Sequence, residues 1–235
     1  LNNLAFLLKE MGDYRAALPL LRRAVAIRRE ASGVRHMEYA AGLNHLGLLL
    51  KDVGDHKAAL PTLEAAAALY KELLGEKHPD HATALNNIGL VHHAAGRHAL
   101  ALDMYMRPLA LQKEASGEAH PSYATGLNNL ALLYKDTGDH KSALPLFRQA
   151  AAIYKERLGE HHPLHANCLN NLGLLHQAMG GHAEALGLYR RALALRKEAL
   201  GERHPDYATS LDNLGLLHQQ MGDHKAALPL YKKAL

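Results

Sequence analysis

Histidine is the residue type in this sequence with the most obvious capacity for chemistry. Eighteen of the 235 residues are histidines, and imidazole nitrogens can bind metal ions or transfer protons. The best candidate group is His161, His162 and His165, because a His-x-x-x-His spacing can share one face of a helix. Pro163 interrupts it, however, and no cysteine or carboxylate cluster completes a zinc-ligand set. We therefore expect no metal site.

Most of the histidines instead recur at a fixed interval of 42 residues. Thirteen of them fall into three columns, which are His36, His78, His120, His162 and His204; His56, His98, His140, His182 and His224; and His92, His176 and His218. A catalytic or metal site normally occurs once in a chain, whereas these residues repeat with the scaffold. The pattern favours packing and loop hydrogen bonds as their role.

The sequence lacks the usual motifs of catalysis. It has no serine nucleophile elbow, no glycine-rich phosphate loop and no unique carboxylate pair. The one cysteine, Cys168, occupies a column otherwise held by Gly, Ala or Ser, which predicts a small buried residue and not a nucleophile. We expect no catalytic residues, no cofactor and no enzymatic activity.

Asparagine follows the same 42-residue interval. Ten of the eleven asparagines fall into two adjacent columns, which are Asn2, Asn44, Asn86, Asn128, Asn170 and Asp212; and Asn3, His45, Asn87, Asn129, Asn171 and Asn213. Asn is a mediocre helix former, so some interaction should offset its cost. Because a primary amide both donates and accepts, the columns could bind the backbone of an extended peptide. They could equally bridge successive helices or cap loop carbonyls, and the sequence leaves both interpretations open.

These columns require a repeated element to position them. The segment Leu-Asn-Asn-Leu and the glycine column at Gly12, Gly54 and onward keep one register without insertion. Five periods account for 210 residues, and the last 25 stop inside a sixth repeat. No linker or change of composition interrupts the series, which predicts one array over residues 1–235. Its repeats are 1–36, 37–78, 79–120, 121–162, 163–204 and 205–235, of which the first and last are incomplete.

Each repeat is predicted to contain two helices. In the fourth repeat, Pro121 suits a first helical turn, and apolar residues then recur at helical spacing as far as Tyr134. Gly138 ends that helix, Asp139 can cap the next, and a second apolar stripe follows to about residue 158. A lone helix pair cannot bury both stripes, so neighbouring pairs must stack. The sequence predicts an all-α chain arranged as an α-solenoid.

The columns resemble the tetratricopeptide repeat. The matching slots of the fourth repeat are Leu127, Leu130, Ala131, Tyr134, Gly138-Asp139-His140, Ala143, Phe147 and Ala150. The repeat is about eight residues longer than the usual 34. In its Leu-Asn-Asn-Leu-Ala and Gly-Glu-x-His-Pro phrases it is similar to the 42-residue repeats of kinesin light chains and the nephrocystin-3 group. The resemblance covers the whole chain and implies a right-handed superhelix of antiparallel helix pairs.

The resemblance also implies a function. Such arrays are scaffolds that bind a partner protein or an extended peptide in a concave groove lined by the first helices. In kinesin light chains, concave Asn, Lys and Arg positions hold acidic cargo peptides. Carried over to this chain, the peptide-binding positions are Asn44, Asn86, Asn128, Asn170, Lys51 and Lys135. Leu90 and Leu132, on the same predicted face, could receive apolar side chains of the ligand or pack between repeats.

A second function stays open, in which the array is the sensor or oligomerisation arm of a larger multidomain signalling protein. For both functions, the composition limits the class of partner that the chain can bind. The net charge of +4 is small and evenly spread, which argues against nucleic acid, and no segment reaches the run of about 18 apolar residues that crosses a membrane. A single cysteine fits a reducing compartment, so we expect a cytoplasmic protein. Because both ends fall inside predicted helices, we expect the native protein to extend further or copies to stack end to end.

Overall fold

The computed structural model describes residues 1–235, apart from the side chain of Glu10. Over this described chain there are twelve α-helices and no strand, which confirms the predicted all-α fold. The helices are α1 (Asn2–Glu10), α2 (Tyr14–Ser32), α3 (Met37–Asp52), α4 (His56–Leu74), α5 (Pro79–Ala94), α6 (His98–Ser116), α7 (Pro121–Asp136), α8 (His140–Leu158), α9 (Pro163–Ala178), α10 (His182–Leu200), α11 (Pro205–Gln220) and α12 (His224–Ala234).

The chain divides into two compact units, Leu1–Glu118 with α1 to α6 and Ala119–Leu235 with α7 to α12. Within each unit, every odd-numbered first helix packs against the second helix of its own repeat, and α3, α5, α9 and α11 also pack against the second helix of the repeat before. First helices of neighbouring repeats also touch, as α3 and α5 do in the N-terminal unit. Consecutive pairs thus stack as a repeat solenoid. The single array over residues 1–235 stays a prediction.

A loop histidine caps the start of each complete first helix. In all five cases the ring Nδ1 accepts a hydrogen bond from the backbone N–H two residues later, at 3.1–3.2 Å, and the residues are His36, His78, His120, His162 and His204. Each cap satisfies one of the N–H groups that a helix start leaves without a partner. An accepting Nδ1 places the proton of a neutral ring on Nε2. This column is therefore structural.

Small residues let the two helices of a repeat approach closely. A Cβ atom on Gly89 would lie 2.6 Å from the ring of Tyr105, and one on Gly173 would lie 2.6 Å from that of Tyr189. In the fourth repeat the same slot is Ala131, which is fully buried, as is Phe147 opposite it. Large aromatic rings therefore fill the space that the small residue leaves.

No helix in the described part of the chain is both long and apolar enough to cross a bilayer.

Candidate functional site

The two asparagine columns form hydrogen bonds between successive first helices. The Nδ2 of Asn87 donates to the Oδ1 of Asn44 at 2.9 Å, across 43 residues of sequence. In the C-terminal unit, Asn171 donates to Asn128 at 3.1 Å and Asn213 donates to Asn170 at 3.0 Å. A second-column amide therefore donates to the first-column amide of the preceding repeat. We call this series the amide ladder.

The ladder bears on both interpretations of the asparagines. It supplies the bridging between helices that offsets their poor helix propensity. It also uses only the oxygen of Asn44 and Asn170, whose Nδ2 groups donate to no other side chain in the described structure. Access is limited, because Asn44 is 8 % exposed and Asn170 is 4 % exposed. The peptide-binding role of these positions stays a prediction.

The other predicted asparagines differ in detail. Asn86 is also buried, and its Oδ1 accepts no hydrogen bond from the described residues. Asn128 is half-buried, and its Nδ2 lies 3.5 Å from the Oδ1 of Asn129. Leu90 and Leu132 are half-buried on the same helices.

The two predicted lysines are each paired with the aspartate that follows them. The Nζ of Lys51 lies 2.8 Å from Asp52, which also pairs with Lys9 at 2.9 Å, and Lys135 lies 2.9 Å from Asp136. Burial acts to raise the pKa of Asp52, but hydrogen bonds from Lys51 and Lys9 and their charges lower it overall. Asp136 compensates the charge of Lys135, whereas Lys51 shares Asp52 with Lys9, so both predicted lysines attract an anionic ligand less than the sequence implied.

The strongest candidate site is a cleft of about 470 Å³ in the C-terminal unit, which we call the C-terminal cleft. It lies over α7, α9 and α11, and its walls include the side chains of Asn128, Asn170, Asn171 and Asn213. Tyr154 and Arg196, from the second helices α8 and α10, also line it. The cleft thus combines ladder amides with two side chains that the sequence analysis did not single out.

Arg196 is a buried cation without an ionic partner. Its side chain donates from Nε and Nη2 to the Oδ1 of Asn167, at 3.1 and 2.7 Å, and from Nη1 to the Oγ of Ser210 at 2.6 Å and the carbonyl of Asp206 at 2.8 Å. No carboxylate of the described residues comes within 4.0 Å of it. Burial lowers the pKa of Arg196, against the charge of Asp206, yet a guanidinium stays protonated in proteins. Its hydrogen-bond acceptors are neutral, so the positive charge in the cleft has no direct ion pair among the described residues.

Tyr154 contributes a neutral hydroxyl to the same cleft. Its oxygen lies 2.9 Å from the Oγ1 of Thr125, so one of the two hydroxyls donates to the other. Burial raises the pKa of Tyr154 to about 12. The phenol therefore remains protonated at neutral pH.

Tyr154 and Arg196 belong to one column of the second helices, which we call the selector column. Its members are Arg28, Tyr70, Gln112, Tyr154 and Arg196, one per complete second helix. Sequence reasoning missed it because it concentrated on the first helices. The available signal was the change of residue type at one position, between Arg, Tyr and Gln, in repeats that are otherwise nearly identical.

An equivalent cleft of about 440 Å³ lies in the N-terminal unit, which we call the N-terminal cleft. Helices α3 and α5 contribute Glu38, Asn44, His45 and Asp80, and α4 contributes Tyr70. Burial, and to a lesser extent the charge of Asp80, raises the pKa of Tyr70 to about 12, with Arg28 opposing. Two carboxylates thus line this cleft, and no cation lines it among the described residues.

The histidine and cysteine candidates do not form a reactive centre. His161 contacts Glu198 at 3.0 Å, His162 caps α9, and the Nδ1 of His165 lies 2.8 Å from the carbonyl of Glu160. Within the described residues no three His, Cys, Asp or Glu side chains could hold a metal ion together. Cys168 is buried, its thiol donates to the carbonyl of Phe147 at 3.3 Å, and burial raises its pKa to about 12.

Comparison with known sequences gives one family. A model of the tetratricopeptide repeat matches residues 1–72, 38–114, 109–156, 122–198 and 167–235. No curated protein matches the sequence significantly.

Several solved structures share the fold. BtubC (BKLC) from P. vanneervenii is 22 % identical, with a TM-score of 0.70 over 96 % of this chain and 88 % of its own. A kinesin light chain-type protein of P. anserina with nearly identical TPR-like repeats is 24 % identical, with a TM-score of 0.65 over 85 % of this chain and 94 % of its own. The Rap conjugation gene regulator of plasmid pLS20, solved with the Phr* peptide, is 15 % identical, with a TM-score of 0.69 over 84 % of this chain and 52 % of its own. At these identities the likeness is one of fold.

Proposed function

Because the chain belongs to the tetratricopeptide repeat family, as its sequence predicted, we propose that it is a protein-interaction scaffold whose first helices bind an extended peptide segment of a partner. The repeat fold supports a scaffold of this kind, and the similar Rap regulator was solved with a bound peptide. The proposed ligand-binding surface comprises the ladder amides together with the selector column.

The C-terminal cleft is the observation that carries this proposal. Packed helices lie about 8–10 Å apart, and an extended chain rises about 3.3 Å per residue, so one first-column amide would meet roughly every third peptide residue. The ladder holds those amides in one orientation, which lowers the entropy lost on binding. Arg196 supplies a positive charge that a carboxylate of the ligand would compensate.

A preference for acidic residues in the peptide is expected at one position, Arg196. Lys51 and Lys135 are paired with Asp52 and Asp136, whereas Arg196 has only neutral acceptors. We therefore place the acidic residue of the peptide at the C-terminal cleft, opposite Arg196. The predicted lysines would then add only a weak and salt-sensitive attraction.

The test is a double variant in which two residues of the fifth repeat are replaced by the residues at the equivalent positions of the fourth repeat. Arg196→Tyr with Asn167→Thr recreates the Tyr154–Thr125 pair, so the fold should accept it while the cleft loses its cation. Random dodecapeptides would first be selected on the unmodified chain, and the affinities of the selected peptides would then be measured on both. We expect peptides with an acidic residue to bind the double variant about tenfold more weakly or worse, the loss of one charge-assisted hydrogen bond.

The matched control is Arg191→Gln, which removes an equal charge from an exposed residue paired with Glu160 outside the C-terminal cleft. It should leave the affinity unchanged. Equal affinity of the double variant and the unmodified chain would exclude the Arg196 position. Failure to select any peptide would contradict the scaffold proposal and favour a sensor or oligomerisation arm.

A further inference from the structure

We propose that the N-terminal cleft is a binding subsite for one basic side chain, lysine or arginine, of the bound peptide. The proposal rests on the proposed function, since it names the residue class that a second cleft of the repeat array accepts. Its charge preference is opposite to that of the C-terminal cleft.

The first observation is the hydroxyl of Tyr70. Its side chain is 6 % exposed and lines the cleft, and its hydroxyl makes no hydrogen bond with the described residues. The equivalent Tyr154 contacts Thr125, but the residue at that slot beside Tyr70 is Ala41, which has no hydroxyl. The oxygen opens to the cleft, where water or a ligand can bond to it. The oxygen can accept a hydrogen bond from an ammonium or guanidinium group.

The second observation is the pair of carboxylates. Glu38 and Asp80 occupy equivalent positions in the first turns of α3 and α5 and line the cleft from neighbouring helices. The same column holds Ser122 in the fourth repeat, Leu164 in the fifth and Asp206 in the sixth, and of these only Leu164 lines the C-terminal cleft. Two carboxylates of this column therefore line the N-terminal cleft, whereas none lines the C-terminal cleft among the described residues.

Other charged groups near the cleft leave this character intact. Burial, with the charges of Arg28 and Lys9, lowers the pKa of His45, so its ring is neutral at neutral pH. Arg28 belongs to α2 and packs over Gly42, and its electrostatic effect on Tyr70 is smaller than that of Asp80. The Nδ1 of His78 accepts the capping N–H of Asp80, so this atom has no proton to donate to the Asp80 carboxylate 3.7 Å away.

These groups together suit a long cationic side chain. Its apolar stem can pass Met37 and Ala41, and its terminal N–H groups can donate to the Tyr70 oxygen and to both carboxylates. Two carboxylates on adjacent first helices would hold the cation between successive repeats. A neutral or acidic side chain would leave both carboxylate charges uncompensated.

The test compares peptide selection on the unmodified chain and on Glu38→Gln with Asp80→Asn. Both substitutions keep the size of the side chain, and a thermal melt of each variant checks the fold. We expect random dodecapeptides selected on the unmodified chain to carry Lys or Arg at one fixed position. That preference for a basic residue should vanish on the Glu38→Gln and Asp80→Asn variant, and the preference for an acidic residue assigned to Arg196 should remain.

The outcomes separate the two proposals. Selected peptides without a fixed basic position, or the same basic position on the double variant, would overturn the subsite and leave the scaffold proposal standing. No selected peptide at all would overturn both. Loss of the acidic preference alone, on the Arg196→Tyr and Asn167→Thr variant, would leave the basic subsite in place.

A small probe tests the chemistry without any selected peptide. N-acetyl-lysine methylamide would be titrated against the chain, with N-acetyl-norleucine methylamide as the uncharged control, and the tyrosine ring resonances would be followed by NMR. We expect the lysine probe to shift the Tyr70 resonances, assigned through Tyr70→Phe, and the norleucine probe to leave them unchanged. The Glu38→Gln and Asp80→Asn variant should bind the lysine probe about tenfold more weakly. Equal shifts with both probes would overturn the proposal.

Discussion

The N-terminal and C-terminal clefts are built from equivalent positions of the same repeat, yet they differ in charge and in hydrogen bonding. In the C-terminal cleft, Tyr154 is paired with Thr125 and Arg196 makes four hydrogen bonds to neutral acceptors. In the N-terminal cleft, Tyr70 has no such partner and two carboxylates face the space. The repeat therefore places a cleft at equivalent positions in each unit, and a few columns of variable residues give each cleft its own charge and hydrogen-bonding groups.

The difference has a cost in stability that can be measured in each unit. Side chains that form hydrogen bonds within the chain stabilise the fold, whereas polar side chains without a partner in the chain do not. Substitutions at matched slots of the two clefts should consequently have unequal effects.

The largest effect is expected at Arg196. Arg196→Ala removes the donor shared by the half-buried Asn167 and the buried Ser210 and leaves their oxygens without it, so the C-terminal unit should lose about 3 kcal/mol. Urea unfolding, with hydrogen exchange of α9 to α11 because repeat arrays can unfold in parts, measures this. Arg191→Ala, at an exposed position, is the control and should cost less than about 1 kcal/mol. Similar losses for the two variants would refute the importance of the Arg196 network.

The matched tyrosines should differ by a smaller amount. Tyr154→Phe removes the hydrogen bond to Thr125 and should cost about 1 kcal/mol, while Tyr70→Phe removes a hydroxyl with no protein partner and should stay within about 0.5 kcal/mol of the unmodified chain. Urea unfolding of the two variants gives both values. An equal loss for both tyrosines would mean that Tyr70 is bonded in solution and would contradict the free hydroxyl.

Giving Tyr70 a partner should remove part of the contrast. Ala41→Thr places a hydroxyl at the slot of Thr125, and a double-mutant cycle with Tyr70→Phe should show a coupling of about 0.5–1 kcal/mol. The cycle is needed because threonine by itself is a poorer helix former than alanine. A coupling of zero would show that the two hydroxyls do not meet.

The smallest effect is expected from pH at His45. Its folded pKa is lowered below 6.5, so the unfolded chain binds the proton more readily, and stability is lost as pH falls from about 6.5 towards the folded pKa. His45→Asn restores the residue common in that column and should lose less stability between pH 7 and pH 5. Urea midpoints at both pH values measure the difference. A parallel decline in the two proteins would argue against a contribution from His45.

The sequence predicted the helices and their order because strict periodicity, glycine ends and aspartate caps are local signals. The tetratricopeptide family and the kinesin light chain-like neighbours confirmed that interpretation. The asparagine columns were also recognisable, but their bonds across 43 residues depend on how neighbouring helices stack. Local sequence does not contain that information.

The environment of the charged side chains also depends on packing that local sequence does not predict. Lys51 and Lys135 looked available to a ligand, and their pairing with Asp52 and Asp136 depends on rotamers that no periodicity reveals. Arg196 looked like one cation among many on a long helix, and only the packing shows that it is buried. Variation within a nearly invariant repeat was the one available clue to the selector column.

The constant offset of the amide ladder has an evolutionary consequence. Every described bond of the ladder joins an asparagine to the asparagine 43 residues later, which is one repeat and one position further along the chain. Excision of residues 163–204 by recombination would therefore bring Asn213 to the place of Asn171, where it could donate to Asn128. Where the ladder is intact, a whole repeat can be gained or lost while the bonded register is kept, so the number of repeats can change independently of the residues that line each cleft.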